Sequence, residues 1–202
     1  MKIMLIRHFK TPGNLERRYV GRTDEPLLEG EELVRMAEEK RACLRTKEKP
    51  DCVIVSPMRR CIQTAELIFP GAEQVLCAKM RECDFGLFEG KNYEELKELP
   101  VYQEWLDSRG TLPFPAGEAH EAFRARCEEG FESMLAELTE NGCRTAAMVV
   151  HGGTIMAVLS RFGPRGSEFY DWQVENGCGF LVSLDEKAWG MGQKEFGEIE
   201  RL

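Results

Sequence analysis

The chain has 202 residues and a mass of 23.1 kDa, a size typical of one domain with an elaboration. Apolar residues make up 43% and charged residues 31%, and the mean hydropathy is −0.38, so the composition indicates a soluble globular protein rather than a disordered or membrane-spanning one. The 35 acidic residues outnumber the 27 basic ones, giving a net charge of −8. An acidic surface repels nucleic acid and anionic lipid, so an anionic substrate would need a local cluster of basic side chains.

The cysteines and the N-terminus indicate a reducing compartment. The apolar run at residues 3–6 is too short for the core of a signal peptide, and no other stretch approaches the ~20 apolar residues of a membrane span. None of the eight cysteines belongs to a C-x-x-C pair, which argues against zinc and redox motifs. We therefore expect a cytoplasmic protein with free thiols, without metal or other cofactor, and without nucleic-acid or membrane partners.

Strands and helices alternate along the chain. Short apolar runs predict strands at residues 2–6, 52–55, 74–78, 145–150 and 180–184. Between them, helical periodicity or helix-start residues predict helices at 29–47, 60–69, 118–138 and from 152 to about 162. This alternation predicts an α/β fold, a three-layer sandwich with a mostly parallel central sheet.

Residues 81–117 interrupt that alternation. They contain two short helical pieces, at 93–99 and 101–107, followed by the sequence Thr-Leu-Pro-Phe-Pro-Ala-Gly. We expect this segment to be a helical and loop cap inserted into a single domain that spans residues 1–202. Long insertions of this kind are usually functional.

Polar side chains follow each predicted strand at the point where it ends. Arg7 and His8 follow the first strand, residues 56–60 the second, 81–82 the third and 151–153 the fourth. In open α/β sheets, sites gather beyond the carboxyl ends of the strands. Two of the three histidines, several arginines and one carboxylate are therefore expected along one rim.

These side chains suit phosphoryl transfer. Arginine binds phosphate oxygens through two parallel hydrogen bonds, and backbone amides at a helix start, as at Gly152, attract anions. A neutral imidazole is a competent nucleophile, and a carboxyl group such as that of Glu82 could supply the proton for a leaving alcohol. Because no acidic metal-binding cluster accompanies the rim, the arginines and the second histidine would take the place of Mg²⁺.

Four motifs occur in order along the chain: Arg7-His8-x-x-Thr11-x-x-Asn14, Ser56-Pro57-Met58-Arg59-Arg60, Arg81-Glu82-x-x-Phe85-Gly86-x-Phe88-Glu89-Gly90 and Val149-Val150-His151-Gly152-Gly153. The matches, including the strands around these motifs, run from residue 2 to about residue 182, nearly the whole chain. Together they resemble the histidine phosphatase superfamily, in its phosphoglycerate-mutase-like branch. Each motif alone is a weak signal, whereas four in order with sensible spacing are a specific one.

The resemblance implies that His8 is the nucleophile and becomes a phosphohistidine. It implies that Arg7, Arg60 and His151 hold the phosphoryl group and that Glu82 acts first as general acid and then as general base. The further candidates for binding phosphate or substrate are Asn14, Gly152, Lys10 and Arg22.

The chain also departs from the family's pattern of Arg-His-Gly followed by Glu or Gln. Phe9 adds bulk where the usual glycine lets backbone pass close to its neighbours. Lys10 is either a further phosphate contact or a solvent-facing residue, which is the default for lysine. Arg22 could guide an anionic substrate inward or lie in a surface loop, and His120, at a polar helix start, is expected to be a bystander.

Three functions stay open. A metal-independent phosphomonoesterase that hydrolyses a small phosphate ester through a phosphohistidine is favoured, because the family's mutases tend to be longer. Among the family's small phosphatases, α-ribazole phosphatases and sugar-phosphate phosphatases both fit. A cofactor-dependent phosphoglycerate mutase, requiring 2,3-bisphosphoglycerate, is the second function, and a non-catalytic phospho-ligand binding protein, motivated by Phe9, is the third.

Overall fold

A computed structural model describes residues 1–108 and 110–202, which form an α/β fold with helices on both faces of a six-stranded sheet. The strands are β1 (Lys2–Arg7), β2 (Cys52–Val55), β3 (Gln74–Leu76), β4 (Thr145–Val150), β5 (Gly179–Ser183) and β6 (Ile199–Arg201). The α-helices are α1 (Pro12–Leu15), α2 (Glu31–Leu44), α3 (Arg59–Ile68), α4 (Tyr93–Leu96), α5 (Pro100–Asp107), α6 (His120–Glu140), α7 (Gly152–Phe162) and α8 (Glu186–Gly190).

The strand order brings the ends of β1 and β4 together. The order is β3-β2-β4-β1-β5-β6, in which the first four strands are parallel, β5 is antiparallel to β1 and β6 is antiparallel to β5. β1 and β4 are in register from Lys2 opposite Thr145 to Arg7 opposite Val150. The next residue of each strand is a histidine, so His8 and His151 become neighbours across the sheet.

Side-chain alternation along β1 divides the core into two layers. Ile3 and Leu5 face one side and pack with α6 and α7, whereas Met4 and Ile6 face the other side and pack with α2 and α3. Strand β4 is buried at all six positions, as expected for a central parallel strand covered on both faces. The predicted three-layer arrangement is therefore confirmed.

The structure corrects several element boundaries. The predicted strand at 74–78 ends at Leu76, and the chain then enters a 3₁₀ turn at Ala78–Met80. Helix α2 covers Glu31–Leu44 instead of the predicted 29–47, and Gly30, with a φ of 117°, precedes its first residue. The short elements α1, α8 and β6 were not predicted, because their four, five and three residues are too few to show a period.

The segment 81–117 packs on a third apolar cluster, away from the two that flank the sheet. Its residues Phe88, Leu96, Tyr102 and Phe114 are buried together with Phe123 of α6. The division of the chain into one domain with a cap at 81–117 remains a prediction. In the described part of the chain, no helix has the length and apolar character to cross a membrane. The structure contains all eight cysteines as free thiols.

Candidate active site

His8 is held in one tautomer at the end of β1. Its Nδ1 lies 2.6 Å from the backbone carbonyl oxygen of Phe9. A carbonyl can only accept, so Nδ1 carries the proton and Nε2 keeps its lone pair. Burial lowers the pKa of His8 well below the ordinary value, and the charges of Arg60 and Arg7 lower it further. The result is a neutral imidazole with a free nucleophilic nitrogen.

His151 is neutral in the opposite tautomer. The Nε–H of Arg60 donates to its Nδ1 at 3.3 Å, so the ring proton is on Nε2, which donates to Ser56 Oγ at 2.8 Å. Burial, followed by the charge of Arg60, lowers the pKa of His151 well below that of free histidine. The His8 and His151 rings stand edge to face with centroids 5.2 Å apart.

Arg60 is fully buried and ties the loop after α1 to the site. Its Nη1 donates to the carbonyl of Thr23 at 2.7 Å and its Nη2 to the carbonyl of Gly21 at 2.8 Å. Each terminal nitrogen keeps a second N–H beyond these bonds. The guanidinium therefore supplies a fixed positive charge beside both histidines.

Arg7 presents an unpartnered donor at the same place. Its Nη1 donates to the carbonyl of Val174 at 2.7 Å, but its buried Nε has no hydrogen-bond partner among the described residues. The guanidinium carbon and Nε lie 3.4 Å from the position that a Cβ at Gly152 would occupy. Arg7 and the N-terminus of α7 thus face one small volume, as an anion site requires.

Glu82 caps the same helix end. One carboxylate oxygen accepts from the N–H of Gly153 at 3.1 Å, and the other accepts from the N–H of Cys83 at 3.0 Å. The segment that carries Glu82 is held by Arg126 of α6, which donates to the carbonyls of Lys79, Arg81 and Glu82. Arg126 is itself fixed by two hydrogen bonds to the carboxylate of Glu118, at 2.9 and 2.7 Å.

Asn14 is oriented by an asparagine from a distant loop. Its Oδ1 accepts from the N–H of Thr11 and from Nδ2 of Asn176, at 3.3 and 3.1 Å. The same Nδ2 donates to the carbonyl of His8 at 3.1 Å. Because the Oδ1 of Asn14 is engaged by donors, its amide N–H groups are the ones left for an anion.

The structure thus gathers most of the candidates and places two at the margins. Arg7, His8, Arg60, Glu82, His151 and Gly152 form one connected cluster, with Asn14 joined to it through Asn176. Lys10 lies at the rim of a large cavity and pairs with Glu32 of α2 at 3.5 Å. Arg22 lies on a second, smaller cavity, which Glu82 also lines, and pairs with Asp84 at 3.3 Å.

Three residues hold the site residues in place but could not be predicted to do so from the sequence: Ser56, Arg126 and Asn176. Ser56 and Arg126 lie in recognisable segments, but nothing in the sequence shows that Ser56 bonds to His151 or that Arg126 anchors Glu82. Asn176 lies in a loop without a motif. Their contacts join positions 44 to 168 residues apart, which no local pattern reveals.

Phe9 does not enter the site. Its side chain is buried in the apolar cluster between the sheet and α2, and its backbone N–H donates to Thr64 Oγ1 at 3.0 Å. The bulk that replaces the usual glycine therefore points away from the two histidines. The reacting groups keep their places.

A family model described as the histidine phosphatase superfamily, branch 1, matches residues 3–194. The chain belongs to this superfamily. A 2,3-bisphosphoglycerate-dependent phosphoglycerate mutase from Bifidobacterium longum is 33% identical over 218 aligned positions, which cover 92% of this chain and 87% of the mutase. An adenosylcobalamin/alpha-ribazole phosphatase from Escherichia coli is 25% identical over 194 positions, covering 93% and 92% of the two chains.

The superfamily assignment agrees with the fold of solved structures. The structure of the alpha-ribazole phosphatase from Shigella flexneri superposes with a TM-score of 0.77 over 93% of this chain and 92% of that one, at 23% identity. At that identity the likeness speaks for the fold alone. The motif-based resemblance to the phosphoglycerate-mutase-like branch is confirmed, and relatives include both phosphatases and mutases.

Proposed function

We propose that this histidine phosphatase superfamily member is a phosphomonoesterase that hydrolyses a small phosphate ester through a phosphohistidine at His8. The observation that carries the proposal is the tautomer of His8, whose Nδ1–H is bonded to the Phe9 carbonyl. This bond leaves Nε2 unprotonated beside two buried arginine guanidinium groups. A non-catalytic binder would need the arginines but not a histidine poised in this way.

In the first step, the lone pair of His8 Nε2 forms a bond to phosphorus, and the bond from phosphorus to the ester oxygen breaks. The electron pair stays on the departing oxygen, which takes a proton from the Glu82 carboxyl group and leaves as the alcohol. Glu82 suits this part because its carboxylate is fixed at the N-terminus of α7 by Gly153. The product is N-phosphohistidine and a Glu82 carboxylate.

In the second step, water attacks the phosphorus of the phosphohistidine. Glu82 takes a proton from the water as the new oxygen–phosphorus bond forms, and the nitrogen–phosphorus bond breaks. Its electrons return to Nε2, which restores neutral His8 and releases inorganic phosphate. The acid of the first step and the base of the second are thus one carboxyl group.

The positive charge for these steps comes from the protein in our proposal. Arg7 offers its unpartnered Nε–H, Arg60 its remaining N–H groups, and Gly152 its backbone amide. His151 would contribute Nε2–H by exchanging Ser56 Oγ for a phosphate oxygen. Among residues 1–108 and 110–202, no three His, Cys, Asp or Glu side chains are grouped so as to hold a metal ion.

The test is hydrolysis of 4-nitrophenyl phosphate in EDTA by the wild type and by His8→Ala. We expect activity in the wild type and at least about a 10³-fold lower kcat in the variant, which should keep a native circular-dichroism spectrum. Acid quenching during turnover should trap an acid-labile, alkali-stable phosphoenzyme that is absent from His8→Ala. Equal, slow hydrolysis by both proteins would favour the non-catalytic binder and overturn the proposal.

A phosphoglycerate mutase is the second candidate, because the Bifidobacterium longum mutase is similar over most of its length. Mutase activity would require 2,3-bisphosphoglycerate and would exchange 2- and 3-phosphoglycerate faster than it released inorganic phosphate. Phosphate release that is faster than exchange, with and without the bisphosphate, would favour the phosphatase.

We also propose that the protein acts in the cytoplasm, because its eight free cysteines fit a reducing compartment. Its partner in this proposal is a small phosphate ester. The chain's likeness to alpha-ribazole phosphatase makes that ester class one of the substrates to be tried.

A further inference from the structure

One large cavity adjoins the candidate active site. It has a volume of about 1320 Å³, and Arg7, Glu82, Gly152 and Gly153 form part of its lining. Pockets for organic ligands usually measure roughly 300–1,000 Å³, and a phosphate group fills a small part of one. The cavity therefore has room for a sizeable alcohol moiety beyond the phosphate.

One side of this cavity is built almost wholly from rings. We call it the aromatic wall; its partly exposed members are Tyr19, Phe85, Trp105 and His120, and the buried rings of Phe114 and Phe123 complete it. Phe114 is the hub, with ring centroids 4.9 Å from Phe85, 5.2 Å from Trp105 and 5.0 Å from His120. These rings contact one another in edge-on, tilted or stacked arrangements, so the wall is already formed in this structure.

The aromatic wall begins beside the proposed proton donor. A Cβ built on Gly153 would lie 2.3 Å from a Glu82 carboxylate oxygen and 3.0 Å from Cζ of Phe123. The carboxyl group and the edge of the first ring therefore flank the same backbone position. Glu82 and the aromatic wall line the same cavity, so an alcohol that takes its proton from Glu82 can extend along the wall.

The opposite side of the cavity offers little to a second anionic group. Lys10 and Arg35 are each paired with a carboxylate, at 3.5 and 3.1 Å, and Arg201 donates to a backbone carbonyl at 3.0 Å. Glu175 adds a further carboxylate to the lining. Among the described residues, this arrangement disfavours a glycerate carboxylate or a second phosphate.

His120, which the sequence alone leaves as a bystander, belongs to the aromatic wall. Its Nε2 lies 3.0 Å from the carbonyl of Leu112, so Nε2 carries the proton and Nδ1 is free to accept a hydrogen bond. Partial burial lowers the pKa of His120 below the ordinary value, which keeps the ring neutral. It contributes a ring face rather than a charge.

We infer that the alcohol part of the substrate carries an aromatic ring system that stacks on the aromatic wall. The inference rests on the proposed phosphomonoesterase function and names the class of ester that this site takes. Stacking on a preformed wall lowers the barrier through binding energy remote from the reacting phosphorus.

The experiment compares kcat/KM for 2-phenylethyl phosphate, 2-cyclohexylethyl phosphate, glycerol 1-phosphate and 3-phosphoglycerate. All four are phosphate esters of primary alcohols, so the basicity of their leaving oxygens differs little. We expect 2-phenylethyl phosphate to exceed glycerol 1-phosphate by at least about tenfold, with the cyclohexyl ester in between. A ratio near one, a preference for 3-phosphoglycerate, or equal values for the two ring esters would overturn the inference. Absence of hydrolysis of every ester would instead overturn the proposed function.

Two variants locate the effect. Trp105→Leu and His120→Ala should each lower the ratio of the 2-phenylethyl to the glycerol kcat/KM about threefold or more. Trp189→Leu is the matched control, because Trp189 packs on Phe131 and Phe162 in the core layer formed by α6 and α7. Its ratio should equal that of the wild type. His120 is half-buried, so we expect its truncation to cost little stability. His120→Ala therefore still tests the wall if Trp105→Leu is too unstable to assay. An unchanged ratio in both wall variants would contradict the inference.

Discussion

The Phe9 ring lies so close to Gly177 that a Cβ at position 177 would stand 2.7 Å from two of the ring carbons. Gly177 has a φ of 79°, and its N–H donates to the carbonyls of Arg7 and His8 at 3.0 and 3.2 Å. Phe9 stands where the family pattern has a glycine, and the space for its ring is left by Gly177, whose loop is hydrogen-bonded to the backbone of Arg7 and His8. The packing of these two residues holds the carbonyl end of His8 in place.

We expect Gly177→Ala to lower the free energy of unfolding by about 2–4 kcal/mol, because a Cβ meets both a positive φ and the Phe9 ring. Gly71→Ala is the matched control: Gly71 has a φ of 75° with nothing within 4 Å of the added methyl group. Its loss should be about 1 kcal/mol, the cost of the backbone conformation alone. Urea unfolding measures both, and equal losses would show that Phe9 does not clash.

A methyl group on Gly153 should displace the Glu82 carboxylate. The added Cβ would lie 2.3 Å from Glu82 Oε1, so we expect Gly153→Ala to lower kcat at least about tenfold for an alkyl phosphate. The loss should be smaller for 4-nitrophenyl phosphate, whose leaving group needs no proton. Gly190→Ala, with nothing within 4 Å of its methyl group, is the control and should match the wild type on both esters. Equal losses on the two esters would argue against Glu82 as the acid.

Arg126 should act as a positioning residue for Glu82. Its donors to the carbonyls of Arg81 and Glu82 hold the loop that carries the carboxylate. We expect Arg126→Ala to reduce kcat for alkyl phosphates more than for 4-nitrophenyl phosphate, roughly three- to tenfold in the ratio.

Arg161→Ala is the control for Arg126→Ala. Arg161 lies on α7 and forms a surface ion pair with Glu128 of α6, the helix that carries Arg126. In Arg161→Ala, the ratio of kcat for the alkyl phosphate to kcat for 4-nitrophenyl phosphate should equal that of the wild type. A uniform loss on both esters in Arg126→Ala would indicate a merely structural part.

Stability should fall as the pH drops below about 6.5. Burial, followed by the charge of Arg60, lowers the folded-state pKa of both His8 and His151. Between the ordinary histidine value and those lowered values, the unfolded chain binds protons that the folded chain does not, so acid favours unfolding. Each histidine adds a slope of up to ~1.4 kcal/mol per pH unit in that window.

The measurement is urea unfolding between pH 7.5 and 5. His8→Gln and His151→Gln should each reduce the slope below pH 6.5, whereas His120→Gln, at a half-exposed position, should change it less. A slope unaffected by both buried-site variants would contradict the assignment of neutral histidines.

The fold class and the composition of the candidate site could be predicted from the amino-acid sequence alone. Largely apolar runs of four to six residues predict β2 and β4 with the bounds that the structure has, because a strand covered on both faces has few polar positions. The same parallel architecture puts the residues after β1 and β4 on one edge of the sheet, which is why His8 and His151 could be paired from motifs alone.

The way that site is held, and the surface that surrounds it, depend on tertiary contacts. Hydrogen bonds to the Phe9 carbonyl, to Arg60 and to Ser56 determine the tautomers of the two histidines. Hydrogen bonds from Gly153 and Arg126 determine where Glu82 lies. The aromatic wall joins Tyr19 to rings about 65 to 105 residues later in the chain. A sequence pattern reports the periodicity of a single element, whereas these contacts depend on how separate elements pack against one another.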